Sequence, residues 1–284
     1  MNKVSVVFKK IRYRLSKQVW KFLCLLRGDR IATFTLIEGS TIKYPFNTAI
    51  GRLLFGNNFE PEELKFLMAS LHPGDTCFDV GANGGIFTVI AAKQVGPIGH
   101  VYAFEPGLRE LALLKENVAL NQLNNVTIVA SAVSDRTGET QFALSQDGAM
   151  NSMFSTDHPE QKIESWTTVK TTTLDDFVAS QQIKEVNFLK IDVEGAEQLV
   201  FEGSQALLAQ PSALVIMFES ADVNASAAGN STQDILKRLS AAGFQLDAIE
   251  HYGGVKPIKA DLSNLSNLTT YNFVATKVTA EPLP

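Results

Sequence analysis

From about Thr76 onward the hydrophobic positions fall into two alternating rhythms. "TCFDVG" is a short continuous apolar run and predicts a buried strand. "GIFTVIAAKQV" places Ile86, Val89, Ile90 and Ala92 at helical spacing and predicts a helix with that side inward. "HVYAFEP" predicts a second strand, stopped by Pro106. "LRELALLKENVALNQL" predicts a long helix carrying Leu111, Leu114, Val118 and Leu123 on one side. "VTIVASAVS" predicts a third strand. The rhythm breaks between Gly138 and Thr173, where "ETQFALS" and "WTTVKTTT" predict antiparallel strands flanking a polar, Met-containing loop. It resumes with the helix "LDDFVASQ", the strand "VNFLKIDVE", the helix "AEQLVFEGSQALLAQ", the strand "SALVIMFES" and the helix "STQDILKRLSAAG", ended by Gly243. "FQLDAIE" and "YNFVATK" have no obvious helix between them and predict an antiparallel edge.

Continuous apolar strands alternating with helices specify an α/β fold with a mostly parallel sheet covered on both faces. Composition agrees with a globular chain: 284 residues, 45% hydrophobic and 19% charged. No apolar run approaches the ~20 residues needed to span a bilayer. The longest early run, "WKFLCLLRG", is broken by Lys21 and closed by Arg27, with no small-residue cleavage site after it. Cys24 and Cys77 have no metal-ligand spacing and suit a reducing compartment, so a cytoplasmic location is expected.

Charge divides the chain unevenly. Residues 1–30 hold nine Lys and Arg against Asp29, although the whole chain has a net charge of −5. Val7, Phe8, Ile11, Leu15, Val19, Phe22 and Leu26 recur there at helical spacing. Such a segment suits either peripheral contact with an anionic membrane or packing on the body or a partner. The acidic remainder argues against general nucleic-acid binding, which relies on basic surface to neutralise phosphates.

The candidate chemistry starts at "FDVGANGGIFT", a strand running into a helix through Gly81, Gly84 and Gly85. Such glycines permit positive φ and close backbone approach, and a helix start favours a negative group. A dinucleotide fingerprint needs G-x-G-x-x-G, but Asn83 and Ile86 stand at two of its three glycine positions, which disfavours an NAD-dependent oxidoreductase. Asp79 before the turn and Asn83 within it suit a zwitterion, with ammonium toward Asp79 and carboxylate toward backbone N–H groups. That is the amino-acid end of S-adenosylmethionine. Glu105, ending the second strand, stands where a carboxylate can accept ribose hydroxyls.

"HPGDTCFDVGANGGIFTVIAA", "GHVYAFEP", "ENVALNQLNNVTIVASAVSDRTGE", "TTTLDDFV" and "FLKIDVEGAEQLVFEG" together resemble, in order and spacing, the FkbM family of S-adenosylmethionine-dependent methyltransferases. The resemblance covers about Phe59 to Glu219. It implies the Rossmann-like class I methyltransferase fold, with a seven-stranded sheet whose last strand is antiparallel. It also implies roles for Asp79, Gly81, Asn83 and Gly85 at the methionine moiety, Glu105 at the ribose, and Ser131, Ala132 and Val133 near the adenine. Gly84 replaces a larger family residue and is expected to loosen the turn. On this reading residues 59–277 form the methyltransferase domain and 1–58 a basic extension over the acceptor site. Residues 138–173 form an insertion serving as a lid, and 278–284 a disordered tail.

"KIDVEGAE" supplies a second constellation. Asp192 ends the fourth strand at the mouth of the sheet and is counted among both the cofactor contacts and the catalytic candidates. Methyl transfer needs alignment, and a hydroxyl acceptor must also lose a proton, for which a carboxylate can act as base. Asp192, Glu194 and Glu219 are the candidates. Glu197 is expected to serve its helix start instead. Mg²⁺ held by Asp192, Glu194 and Glu219 is the less favoured rival account of the same acids. The four histidines fall in no ligand pattern. The expected function is O-methylation of a hydroxyl on a sugar, polyketide or other natural product. A non-catalytic module that keeps the cofactor pocket is the alternative outside enzymes.

Overall fold

The computed structural model describes residues 18–25, 30–146, 148–250, 254–259, 261–263, 265 and 270–277. The expectations for residues 1–17 and for the 278–284 tail lie outside these. Residues 18–25 are helical, and an antiparallel hairpin of β1 (Ile31–Thr35) and β2 (Thr41–Pro45) follows. Thr48 caps α1 (Ala49–Phe55) by accepting the Gly51 amide, and Pro61 opens α2 (Pro61–Ser70), where a missing N–H costs nothing.

The alternation then begins with β3 (Thr76–Val80), α3 (Ile86–Val95), β4 (His100–Phe104), α4 (Leu108–Leu120) and β5 (Val126–Val129). Strands β6 (Ala132–Val133), β7 (Gly138–Ser145) and β8 (Ile163–Thr172) form a separate three-stranded sheet. Next come α5 (Leu174–Ser180), β9 (Phe188–Ile191), α6 (Glu197–Glu202), α7 (Gln205–Ala209), β10 (Leu214–Glu219), α8 (Asp222–Ala225) and α9 (Thr232–Ala241). The chain closes through β11 (Gln245–Glu250), β12 (Gly254–Pro257) and β13 (Asn272–Lys277).

The large sheet runs β12-β11-β13-β10-β9-β3-β4-β5. Strands β5, β4, β3, β9 and β10 are parallel, and β13 is antiparallel to both β10 and β11. This is the α/β, Rossmann-like arrangement with an antiparallel last strand, extended by β12. The chain leaves β3 for β4 and β5 on one side and returns to β9 and β10 on the other. The switch point therefore lies between β3 and β9, where such sheets bind ligands.

Three local expectations change. "YNFVATK" is no edge: β13 inserts between β10 and β11 and buries Phe273, Val274 and Ala275, leaving the exposed β12 outside. "VTIVASAVS" is two strands, because the chain leaves the large sheet after Val129 and pairs Ala132 and Val133 with β8. The long helix after Asp192 is broken into α6 and α7 around Gly203, where any Cβ would overlap the Ser134 carbonyl oxygen.

Strand alternation sorts the core between two faces. Phe78, Leu189, Ile191, Ile216 and Phe218 pack with Val200, Phe201, Ile235 and Leu239. Cys77, Phe188 and Met217 face the other way, onto α3, Leu64 and Leu67. Leu36, Ile42, Tyr44 and Leu54 join that second cluster, so α3 is buried from Ile86 through Ala92 rather than on one side alone. No described helix is long and apolar enough to cross a membrane.

Candidate active site

The glycine turn takes positive φ at Gly81 (79°), Asn83 (49°) and Gly85 (86°), not at Gly84. A Cβ at Gly81 would overlap the Asp192 carbonyl oxygen, so close packing of β3 against the end of β9 requires glycine. At Gly84 a Cβ would lie 2.5 Å from the Tyr44 ring. The missing side chain therefore makes room for Tyr44, whose hydroxyl donates to Asn83 Oδ1 at 2.6 Å. The expected loosening is replaced by a brace from β2. Asn83 Nδ2 also donates to the Gly148 carbonyl at 3.0 Å, so this one side chain joins the hairpin, the turn and the 138–173 insertion.

Every backbone N–H from 81 to 85 is already engaged. Gly81 and Ala82 donate to Phe104 O, Asn83 to Glu105, Gly84 to Asn83 Oδ1 and Gly85 to Ala82 O. The donors left for an anion are the first amides of α3, which have no intrahelical partner.

Asp79 is 1% exposed. Its Oδ2 accepts from the Thr88 hydroxyl at 2.5 Å, and its Oδ1 faces Lys190 Nζ at 3.6 Å. Lys190 is a member of this buried cluster that sequence reasoning passed over. Strand pairing sets it beside Asp79, where its ammonium reaches Gly81 O and Asp192 Oδ2, each at 3.2 Å, and lies 5.0 Å from the Phe87 ring centre. Burial alone would lower its pKa, but Asp192, Asp79 and Glu60 together hold it above the ordinary lysine value. Its signal was in plain view: a lysine inside the apolar run of a central parallel strand.

Two adjoining cavities open at the carboxyl ends of these strands. The first is a narrow slot of about 60 Å³. Gly81, Asn83, Glu105, Ser131, Ala132, Val133, Asp192 and Glu194 line it, and Phe142, Gly148, Asn151 and Met153 of the insertion close it. The second is a chamber of about 340 Å³ between the hairpin, α1, the start of α3 and α8. Gly81, Asn83, Ala149, Asp192 and Glu194 border both. Glu219 lines the chamber and not the slot; Asp79 and Gly85 line neither. Gly85 is the N-cap of α3, where a Cβ would press to 2.6 Å from Leu114.

Glu105 accepts the Asn83 and Gly107 amides at 2.9 and 2.7 Å, one on each oxygen. Each oxygen keeps a second lone pair for a hydroxyl donor. Burial pushes its carboxyl up to about 8, against the lowering effect of the Gly107 amide. Asn151 accepts from Ser145 through Oδ1, while its buried Nδ2 has no partner. An acidic acceptor for hydroxyls and an unused amide donor match the polar groups of the nucleoside half of S-adenosylmethionine, and the slot, at about 60 Å³, has to widen to admit it. The α3 amides, bordering the chamber through Ile86 and Phe87, fit its carboxylate.

The chamber is rich in acids. Glu60, Asp192, Glu194 and Glu219 all line it with Lys190. Burial, then Asp192, raises Glu194 and Glu219 well above the carboxylate range. Glu194 Oε2 accepts from Asn224 Nδ2 at 2.7 Å. Glu197 stays out of both cavities and accepts the Gly195 amide at the start of α6. Among the described residues no three His, Cys, Asp or Glu side chains are grouped to hold a metal ion. His158 does line the chamber, a placement its sequence context gave no sign of.

Residues 79–246 match the family model for the methyltransferase FkbM domain. The chain is 27% identical to the 31-O-demethyl-FK506 methyltransferase FkbM of Streptomyces tacrolimicus over 202 residues, 62% of this chain and 76% of that protein. It is 26% identical to the hexuronic acid methyltransferase AglP of Haloferax volcanii over 183 residues, 64% of this chain and 69% of the relative. A solved S-adenosylmethionine-dependent O-methyltransferase from Thermotoga maritima superposes with a TM-score of 0.47 at 16% identity, covering 89% of this chain and 79% of its own. The family match spans more than half of the chain, and the protein belongs to the FkbM methyltransferase domain family of S-adenosylmethionine-dependent enzymes.

Proposed function

We propose that the protein methylates a hydroxyl of a small-molecule acceptor, on a sugar, a polyketide or another natural product. The observation that carries this reading is the junction of slot and chamber, bordered by Asp192 and Glu194. When bound, S-adenosylmethionine supplies an electrophilic methyl group. Glu105, Asn151 and the Ser131–Val133 backbone hold the nucleoside end, and the first amides of α3 hold the carboxylate. Gly81, Asn83 and Gly85 shape the turn between them, and Asp79 acts indirectly by anchoring Lys190.

Asp192 is the proposed base. It stands at the junction, and Lys190 at 3.2 Å fixes its carboxylate there. Glu194 and Glu219, raised well above the ordinary carboxylate value by burial and then Asp192, line the chamber where an acceptor's oxygens would lie. Tyr44, Ala49, Ile50 and Leu53 from the N-terminal segment, with Met150 and His158 from the insertion, line the chamber. That lining supports both segments as covers that exclude water and shape acceptor choice. The names of the two relatives support a small-molecule acceptor, and the first of them an oxygen.

Incubation with methyl-labelled S-adenosylmethionine and extracts rich in hydroxylated metabolites tests the reading. The expected product carries its label as an ether methyl group. Label found on nitrogen, or transferred to no small molecule, would overturn it.

A further inference from the structure

The ammonium of the cofactor's amino-acid end is matched best by a carboxylate, and the glycine-turn aspartate lies outside both cavities. Asp79 is 1% exposed, accepts from Thr88, faces Lys190 at 3.6 Å and borders neither cavity. The ammonium and carboxylate of an α-amino acid share one carbon, so their receptors must be neighbours. With the carboxylate at the first turn of α3, the ammonium's partner has to border that turn within the chamber.

Five acids line the chamber; Glu160, exposed on the insertion, is set aside, which leaves four candidates. Asp192 is paired with Lys190 at the junction. Glu194 is bonded to Asn224 beside the slot, and Glu219 ends β10, level with Asp192 and one strand further from the glycine turn. Glu60 differs. It precedes α2, and neighbouring Phe59 packs edge-on against Phe87 in the first turn of α3, ring centres 6.2 Å apart. Its side chain does not cap its own helix. Lys190 is the chamber's one Lys or Arg among the described residues; its ion pairs are with Asp79 and Asp192, and Glu60 acts on it from further off.

We infer that Glu60 is the cofactor-binding residue that receives the α-ammonium of S-adenosylmethionine, the role that sequence pattern gives to Asp79. The inference rests on the methyltransferase reading and adds a residue outside the 79–246 family match. Burial, then Asp192, pushes the Glu60 carboxyl up to about 8, with Lys190 acting in the opposite direction. Its backbone sits at φ 36°, ψ 55°, a left-handed conformation unusual for glutamate.

The test compares calorimetric affinities for S-adenosylhomocysteine and for its deaminated analogue, which lacks only the α-amino group. The full-length protein should prefer the amine-bearing ligand by roughly 10- to 100-fold, the worth of a charge-assisted bond. Glu60→Gln should bring the two affinities within about threefold of each other, as a broken pairwise coupling requires. Glu60→Gly, which suits the left-handed backbone, removes the same carboxylate if the glutamine variant folds poorly. Asp79→Asn and Glu219→Gln should keep the preference. Preference retained in both Glu60 variants, or lost in Asp79→Asn instead, would overturn the assignment. If the unmutated protein binds neither ligand, the methyltransferase reading fails and the assignment falls with it.

Discussion

The hydroxyl of Tyr44 donates to Asn83 Oδ1 at 2.6 Å, tying a strand outside the family's core to the turn that shapes the cofactor site. Gly84 is the counterpart of that bond, since any side chain there would meet the Tyr44 ring. Tyr44→Phe should weaken S-adenosylhomocysteine binding by about two- to tenfold, the worth of one neutral hydrogen bond, with little loss of fold. Gly84→Ala should destabilise by about 1–3 kcal/mol through overpacking, and Tyr44→Ala should relieve it. Thermal melts of the single and double variants check the coupling. Additive effects would show that the two residues act independently.

Asp192→Asn should keep its affinity for S-adenosylhomocysteine, because the amide preserves size and most hydrogen bonding. Turnover should fall roughly 10²- to 10⁴-fold, the usual contribution of a positioned base, and the loss should shrink as pH rises. Chelators should leave the unmutated enzyme unchanged. Activity that collapses on chelation would favour a Mg²⁺ site among the acids, and near-normal turnover of Asp192→Asn would move the base to Glu194 or Glu219.

Glu105 makes stability depend on pH. Its folded pKa of about 8 lies above the ordinary glutamate value, chiefly through burial. Between those two values the folded state holds a proton that the unfolded state has lost, so stability falls as pH rises. One such group contributes about 1.4 kcal/mol per pH unit within that window. Glu197, raised by burial to about 7, acts in the same direction. The melting temperature without cofactor should be higher at pH 6 than at pH 8, and Glu105→Gln should reduce the difference. A melting temperature that rises over this range would contradict the account.

The helical stretch 18–25 turns Trp20 inward, its Nε1 donating to Phe46 O at 2.8 Å, and leaves Phe22 61% and Leu25 85% exposed. An apolar face beside the basic N-terminal sequence should bind anionic vesicles at low salt and release them as salt screens the charges. Co-sedimentation of the full-length protein measures this. If the protein stays in the supernatant, the stretch serves packing alone.

Much of the fold was legible because its strands and helices obey separate periodicities. The turn at Gly81–Gly85 and the strand-end acids Glu105, Asp192 and Glu219 were readable because ligand sites recur at the ends of parallel strands. Pairings were not. Period-two alternation marks "YNFVATK" as a strand but cannot say that β13 enters the sheet between β10 and β11. Nor can local pattern show that Asp79 faces Lys190, since that contact depends on the register of β3 against β9. Tyr44 and Glu60 were missed because nothing near them in the chain marks a site. Only the folded hairpin and the packing of α2 bring them to the chamber.

The account centres on a site built for S-adenosylmethionine, and calorimetric titration with S-adenosylhomocysteine and with NAD tests it most directly. The unmutated protein should bind one equivalent of S-adenosylhomocysteine and no NAD. Gly81→Val, whose side chain would be driven into the Asp192 carbonyl, should lose that binding. Binding of NAD, or S-adenosylhomocysteine affinity unchanged in Gly81→Val, would contradict it.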